Sequence, residues 1–216
     1  IKSRDMGNVP LYPEAGNVGG SIVARRMKFG TEGWRGIIAR DFTFDNVRAC
    51  AQGVASYLLS SGLAHRGLII GYDNRFASEH FAAAAAEVIA GNGIKVYLCP
   101  RATPTPVASY GVIANKAAGA VIITASHNPA IWNGIKYKAE FGGSAPFEVL
   151  DEIQKRTPSS AAAVKHRTLA EGLKQGLIEY LDLAPPYLKR IAELVDLGRL
   201  RRAGLKVVID SMYGAG

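Results

Sequence analysis

In a chain of 216 residues, the segment Thr124-Ala125-Ser126-His127-Asn128-Pro129 brings a hydroxyl, an imidazole and an amide together in one short stretch. It follows Ala120-Val121-Ile122-Ile123, an apolar run that reads as a buried strand, and Pro129 disfavours helical geometry at Asn128. Ligands of open α/β sheets bind beyond the C-terminal ends of strands, so a polar loop here is a candidate site. Ser, His, Asn and Pro also build ordinary turns. Residue types alone leave a structural turn and a functional loop both open.

A serine hydroxyl can serve acyl transfer or phosphoryl transfer. The α/β acyl-transfer hydrolases use Gly-x-Ser-x-Gly, which this loop lacks, and His127 adjoins Ser126 in sequence, an awkward placement for a general base. Phosphoryl transfer asks instead for cations and donors around a dianionic group. Three candidates follow glycine- or asparagine-rich stretches: Arg35 after Gly30-Thr31-Glu32-Gly33-Trp34, Arg75 after Tyr72-Asp73-Asn74, and Lys136 after Asn133-Gly134-Ile135. Arg reads phosphate bidentately, whereas Lys acts as a point charge that can also move a proton. Each taken singly is an ordinary surface charge, and only convergence on one loop would make them a site.

The elements that must position these groups alternate. Thr43 is a candidate N-cap for a helix carrying Val47, Ala51, Val54, Ala55 and Leu58, stopped at Gly62. A strand follows over 68–72, a helix over 78–90, a strand over 95–99, a helix opened by Thr105-Pro106 and reaching 115, and a strand over 119–125. This order predicts parallel strands with helices on both faces, a three-layer α/β/α fold. The next strand, over 135–139, begins too soon after Ser126 for a helical crossover, so it is expected to be antiparallel and the sheet mixed, mostly parallel. A helix over 146–156 comes next, then a helical stretch over 177–198 interrupted by Pro185-Pro186, then a strand over 205–210.

Four segments are therefore expected. They are a flexible extension over 1–27, an α/β/α domain over 28–175, a helical connector over 176–204, and, over 205–216, the first strand of a second, truncated domain.

Composition narrows the classes. The chain is 48% hydrophobic and 20% charged, with a mean hydropathy of +0.06. No run approaches the roughly 18 apolar residues of a membrane span, and the first residues lack a secretory pattern. Cys50 and Cys99 sit in apolar-patterned segments and read as free buried thiols of a cytoplasmic protein. Scattered histidines give no support for zinc. The net charge of +8 suits phosphorylated small molecules, nucleic acid or a membrane surface. The densest basic clusters, Arg25-Arg26 and Arg199 with Arg201-Arg202, lie far apart and are not interleaved with aromatics, so neither nucleic acid nor a membrane is the expected partner.

Taken together, Thr124-Ala-Ser-His-Asn-Pro129 and Asn133-Gly134-Ile135-Lys136 resemble the phosphoserine loop of the α-D-phosphohexomutases, which include phosphoglucomutase and phosphomannomutase. Phe29-Gly30-Thr31-Glu32-Gly33-Trp34-Arg35-Gly36 resembles that family's N-terminal segment, Gly71-Tyr72-Asp73-Asn74-Arg75 its next strand end, and Thr103-Pro104-Thr105-Pro106 also fits. The matches run in the family's order over about residues 28–140. The resemblance implies that Ser126 carries a phosphoryl group and exchanges it with a hexose phosphate through a bound bisphosphosugar. A glucose 1,6-bisphosphate-type activator and Mg²⁺, contacting the Ser126 phosphate, would be required. Lys136 would handle the proton of the sugar hydroxyl, and Arg35 and His127 would stabilise the loop, with Arg75 as a further helper. Thr124, Asn128 and Asn133 would fix its geometry.

The family's metal-binding Asp-Gly-Asp-x-Asp-Arg loop and its Glu-x-Ser-Gly sugar loop do not occur, and no Asp-x-Asp exists in the chain. The resemblance thus implies a fragment that is inactive alone and completed by C-terminal domains of the same protein. The motif Gly33-Trp34-Arg35-Gly36 leans toward phosphoglucomutase-like members. The competing readings are a noncatalytic phosphosugar-binding module and, from charge alone, a nucleic-acid binder.

Overall fold

The computed structural model describes residues 27, 29–30 and 33–216. The expected extension over 1–27 lies outside these, except for Met27, which packs on the core with its sulfur 3.4 Å from that of Cys50.

Six strands form one sheet: β1 (Trp34–Ile37), β2 (Leu68–Tyr72), β3 (Val96–Leu98), β4 (Ala120–Ile123), β5 (Trp132–Lys138) and β6 (Ile178–Tyr180), in the order β1-β5-β4-β2-β3-β6. β4, β2, β3 and β6 are mutually parallel, and β5 is antiparallel to both β4 and β1. The fold is a three-layer α/β/α sandwich around a mixed, mostly parallel sheet.

Strand side chains alternate between two cores because successive residues face opposite sides of the pleat. Leu68, Ile70, Val96, Leu98, Val121 and Ile123 meet α1 (Phe44–Ser60), α2 (Ser78–Gly91) and α4 (Phe147–Arg156). Ile69, Ala120 and Ile122 face Val107, Ala108 and Val112 of α3 (Thr105–Asn115). Burying each of these larger side chains stabilises the fold by about 2 kcal/mol. Thr43 caps α1 as expected, its hydroxyl accepting from the Asn46 amide at 3.3 Å.

Three expectations need correction. The stretch over 177–198 is not one interrupted helix, and the connector over 176–204 is not wholly helical. After α5 (Leu169–Lys174), Gly176 turns the chain in the left-handed region (φ 69°), and β6 extends the sheet beside β3. Ile178 is buried against Gly172, where a Cβ would lie 2.5 Å from its Cδ1. Pro185-Pro186 then lie in the first turn of α6 (Ala184–Leu194), where a missing N–H costs nothing, so they open that helix rather than break it. Finally, residues 205–210, beyond α7 (Leu197–Arg202), join no sheet; Val208 is 97% exposed. An apolar extended segment becomes a strand only when a neighbour supplies the ladder, and none of the described residues does.

Candidate active site at the carboxyl ends of β2 and β4

Ser126 stands just past β4 in the left-handed region, φ 57°, and is exposed at the mouth of the sheet. A non-glycine residue there costs on the order of 1–3 kcal/mol unless its surroundings hold it. The Thr124 hydroxyl accepts the Ser126 N–H at 2.9 Å, and the Asn128 N–H donates to the Ala125 carbonyl at 3.1 Å, tightening the turn. His127 Nδ1 lies 3.4 Å from Ser126 Oγ, too long for a strong hydrogen bond.

Each predicted cation reaches this region by a different route. Arg35 is paired across β1 and β5 with Gly134, and Gly134 in turn accepts the Thr124 N–H at 2.9 Å. With no side chain on Gly134, Arg35 crosses β5 and donates from Nη1 to Asn128 Oδ1 at 3.0 Å; a Cβ there would lie 3.0 Å from Arg35 Cγ and 2.6 Å from the Thr124 carbonyl oxygen. Lys136 sits one rung further along the same face, opposite Ile122, and is 7% exposed. Its neighbour toward β1 is again a glycine: a Cβ on Gly33 would meet Lys136 Cα at 2.9 Å. Cation and glycine thus exchange places on successive rungs, which explains why Gly33-Trp34-Arg35 and Gly134-Ile135-Lys136 share one pattern.

Arg75 borders the open space beside Ser126, but its fork is committed to backbone carbonyls. Its Nη1 donates to the carbonyls of Pro129 (2.9 Å) and Trp132 (3.0 Å), and its Nη2 to those of Ser126 (2.8 Å) and Asn128 (2.5 Å). The Arg75 Nε faces the Asp73 carboxylate at 3.4 Å, a loose contact that leaves this buried N–H without a proper hydrogen bond. Asp73 Oδ1 also accepts from the Arg75 amide (3.0 Å) and from the Ser78 hydroxyl (2.8 Å). The Ser78 hydroxyl accepts from Asn133 Nδ2 at 2.9 Å, and Asn133 Oδ1 takes the Gly134 N–H at 2.8 Å. Asn133 is fully buried, so this chain of bonds supplies the partners its amide needs.

An open cleft of about 580 Å³ lies over these groups. Its walls include Asp73, Asn74, Thr103, Thr124, Ser126 and Asn128, with the turn over 212–216 on the far side. Arg35, His127 and Lys136 flank the cleft rather than line it. Sequence reasoning missed two contributors. Asn74 donates to the carbonyls of Tyr213 (3.0 Å) and Gly214 (2.9 Å), fastening the far wall. Ser78 links Asp73 to Asn133, yet in sequence it is only the first residue of a helix. The signal for Asn74 was its place between Asp73 and Arg75; Ser78 gave none.

No group of three or more His, Cys, Asp or Glu is gathered to hold a metal ion among the described residues. The carboxylate in the cleft wall, that of Asp73, is already committed to Ser78 and Arg75. A hard divalent cation needs several oxygen donors, so these side chains alone do not fit one. Both cysteines are free and buried; burial pushes the Cys99 thiol up to about 11, opposed by a hydrogen bond from Thr103 and reinforced by Asp182.

Residues 26–163 match the family description "Phosphoglucomutase/phosphomannomutase, alpha/beta/alpha domain I". The chain belongs to the phosphoglucomutase/phosphomannomutase family. It is 30% identical over 208 residues to a phosphoglucomutase of Komagataeibacter xylinus, covering 90% of this chain and 37% of that protein. It is also 32% identical over 206 residues to a phosphoglucosamine mutase of Acidothermus cellulolyticus, covering 91% and 41% respectively. Among solved structures, a Thermus thermophilus protein described as a phosphomannomutase superposes with a TM-score of 0.71 at 36% identity, over 81% of this chain and 37% of that one. The Paramecium parafusin structure shares the fold alone, with a TM-score of 0.72 at 21% identity over 87% of this chain and 39% of its own. The chain thus spans about two fifths of the length of these relatives.

Proposed function

We propose that the chain is the phosphoserine-bearing first domain of a phosphohexomutase that interconverts hexose 1-phosphate and hexose 6-phosphate. The observation that carries this reading is the exposed Ser126 hydroxyl, held left-handed beyond β4 on a loop to which arginines from two other strand ends attach. In the forward half-reaction the bond between Ser126 Oγ and phosphorus breaks. A new bond forms between phosphorus and a hydroxyl oxygen of the sugar monophosphate. Lys136 is assigned the proton that this hydroxyl gives up, and the departing Ser126 Oγ takes up a proton to become a hydroxyl again. The bound bisphosphosugar turns over, its other phosphoryl group returns to Ser126 Oγ, and the product leaves. A glucose 1,6-bisphosphate-type activator would restore phosphate to a serine that has lost it. Arg35 and His127 hold the loop and offset its charge, and Thr124, Asn128 and Asn133 keep its shape.

Ser126, once phosphorylated, would help to hold Mg²⁺, which would supply neutralisation of charge. The remaining metal ligands and sugar contacts are assigned to C-terminal domains of the same protein, so the 216-residue chain is expected to be inactive by itself. Two buried thiols suit a reducing cytoplasm, and no helix among the described residues is long and apolar enough to cross a membrane. The lack of a carboxylate cluster among the described residues favours one second reading, a phosphosugar-binding module without catalysis.

Mass spectrometry of the intact protein should find phosphate on Ser126, and Ser126→Ala should remove both the phosphate and the turnover of glucose 1-phosphate, mannose 1-phosphate or glucosamine 1-phosphate. An unmodified serine together with an S126A variant of undiminished activity would refute the proposal. Comparing the three sugars identifies the substrate.

A further inference from the structure

We infer that Arg75 is a positioning residue that holds the Ser126 loop in its strained shape by gathering its carbonyls, rather than a cation that reads phosphate. The inference rests on the mutase reading above for its catalytic consequence, but its structural half stands independently.

Four carbonyl oxygens, those of Ser126, Asn128, Pro129 and Trp132, converge on the two terminal nitrogens of one guanidinium. Each terminal nitrogen has two N–H groups, so these four bonds use the whole outward donor set. The remaining N–H, on Nε, faces Asp73. Nothing is left in the fork for a phosphate oxygen while the loop keeps this form. The electrostatic effect is nevertheless felt at the cleft. The guanidinium charge itself stays beside the cleft, which Arg75 helps to line.

The clamp also closes a ring of bonds. From Arg75 it passes through Asp73 to Ser78 on α2, to Asn133 at the start of β5, and returns along the chain to Trp132, whose carbonyl Arg75 holds. The left-handed Ser126 is therefore determined from both sides, by Thr124 at its amide and by Arg75 at its carbonyl. Such over-determination is what lets a strained residue persist. Lysine in place of Arg75 keeps the charge but offers three donors from a single atom, which cannot span four carbonyls.

The test compares wild type with Arg75→Lys, Arg75→Met and Ser78→Ala. On this 216-residue chain, amide hydrogen exchange is read across 126–132. We expect faster exchange in both Arg75 variants and a smaller increase in S78A, with β2 and α3 protected as in wild type. In the intact protein we expect R75K and R75M to lower kcat by about 100-fold, the scale of a misplaced reacting group, with KM little changed. Wild-type exchange in R75K, or a loss confined to R75M with R75K near wild type, would make Arg75 a charge partner and overturn the inference. Should R75M fail to fold, S78A takes its place, since R75K already separates charge from geometry. If wild type shows no phosphoserine and no turnover, the mutase reading fails while the exchange measurement still decides the clamp.

Discussion

At the scale of single residues, the site depends as much on missing side chains as on charged ones. Gly134 leaves the gap through which Arg35 reaches Asn128; its carbonyl ties β5 to Thr124, and its amide fixes the Asn133 side chain. Gly134→Ala would drive a methyl to 2.6 Å from a backbone oxygen that the strand ladder fixes, and to 3.0 Å from Arg35 Cγ. We expect a loss of about 2 kcal/mol from overpacking, seen as a lower urea midpoint. Arg35 should also be displaced, so the Asn128 side-chain amide resonances should shift as well. A variant of unchanged stability with an unmoved Asn128 would show that the close approach is not a constraint.

The elements carry local compromises that propensity makes testable. Lys116 closes α3 in the left-handed region, φ 51°, a position where helices usually place glycine. Its side chain is exposed, and the backbone oxygen that accepts from Arg66 Nε would survive replacement. Lys116→Gly should therefore stabilise the chain by about 1 kcal/mol through relief of the left-handed penalty, raising Tm. A fall in Tm would mean that the Lys116 side chain itself supports the turn. The same reasoning separates α5 from the rest of its region: Thr168 and Glu171 form a reciprocal capping box, the device that starts a short helix of only 6 residues.

Over the whole molecule, burial of titratable groups makes stability depend on alkaline pH. The Cys99 thiol is raised from 9.0 to about 11 mainly by desolvation, and burial likewise raises the Cys50 thiol and the Tyr137 hydroxyl. A raised value means that the folded chain holds its proton more tightly than the unfolded chain does. The stabilisation is complete below pH 9 and is lost as pH rises toward 11, a span worth about 3 kcal/mol for Cys99. Urea midpoints measured from pH 8 to 11 should fall for wild type and fall less steeply for Cys99→Ala. Parallel slopes for the two would show that Cys99 does not titrate differently in the folded state. At neutral pH the same burial keeps both thiols protonated and poorly nucleophilic.

The amino-acid sequence determined the parts of this protein that depend on near neighbours and on periodicity. The apolar runs at 68–72 and 120–123, the Thr43 cap and the Thr105-Pro106 helix start each act within one or two turns of chain, and the structure keeps them all. The short link after Ser126 likewise forced an antiparallel β5, because no crossover fits in it. What the tertiary structure alone decided were choices that need a partner far away in sequence. β6 is a strand because β3 offers an open edge, and 205–210 is not one because none of the described residues offers it a ladder. Lys136 and Arg35 share a face because two antiparallel pairings happen to be in register. Arg75 was legible as a cation at a strand end, but its commitment to four carbonyls follows from how β2 and the loop after β4 meet. A side chain's type states which bonds it can make; only packing states which of them are already taken.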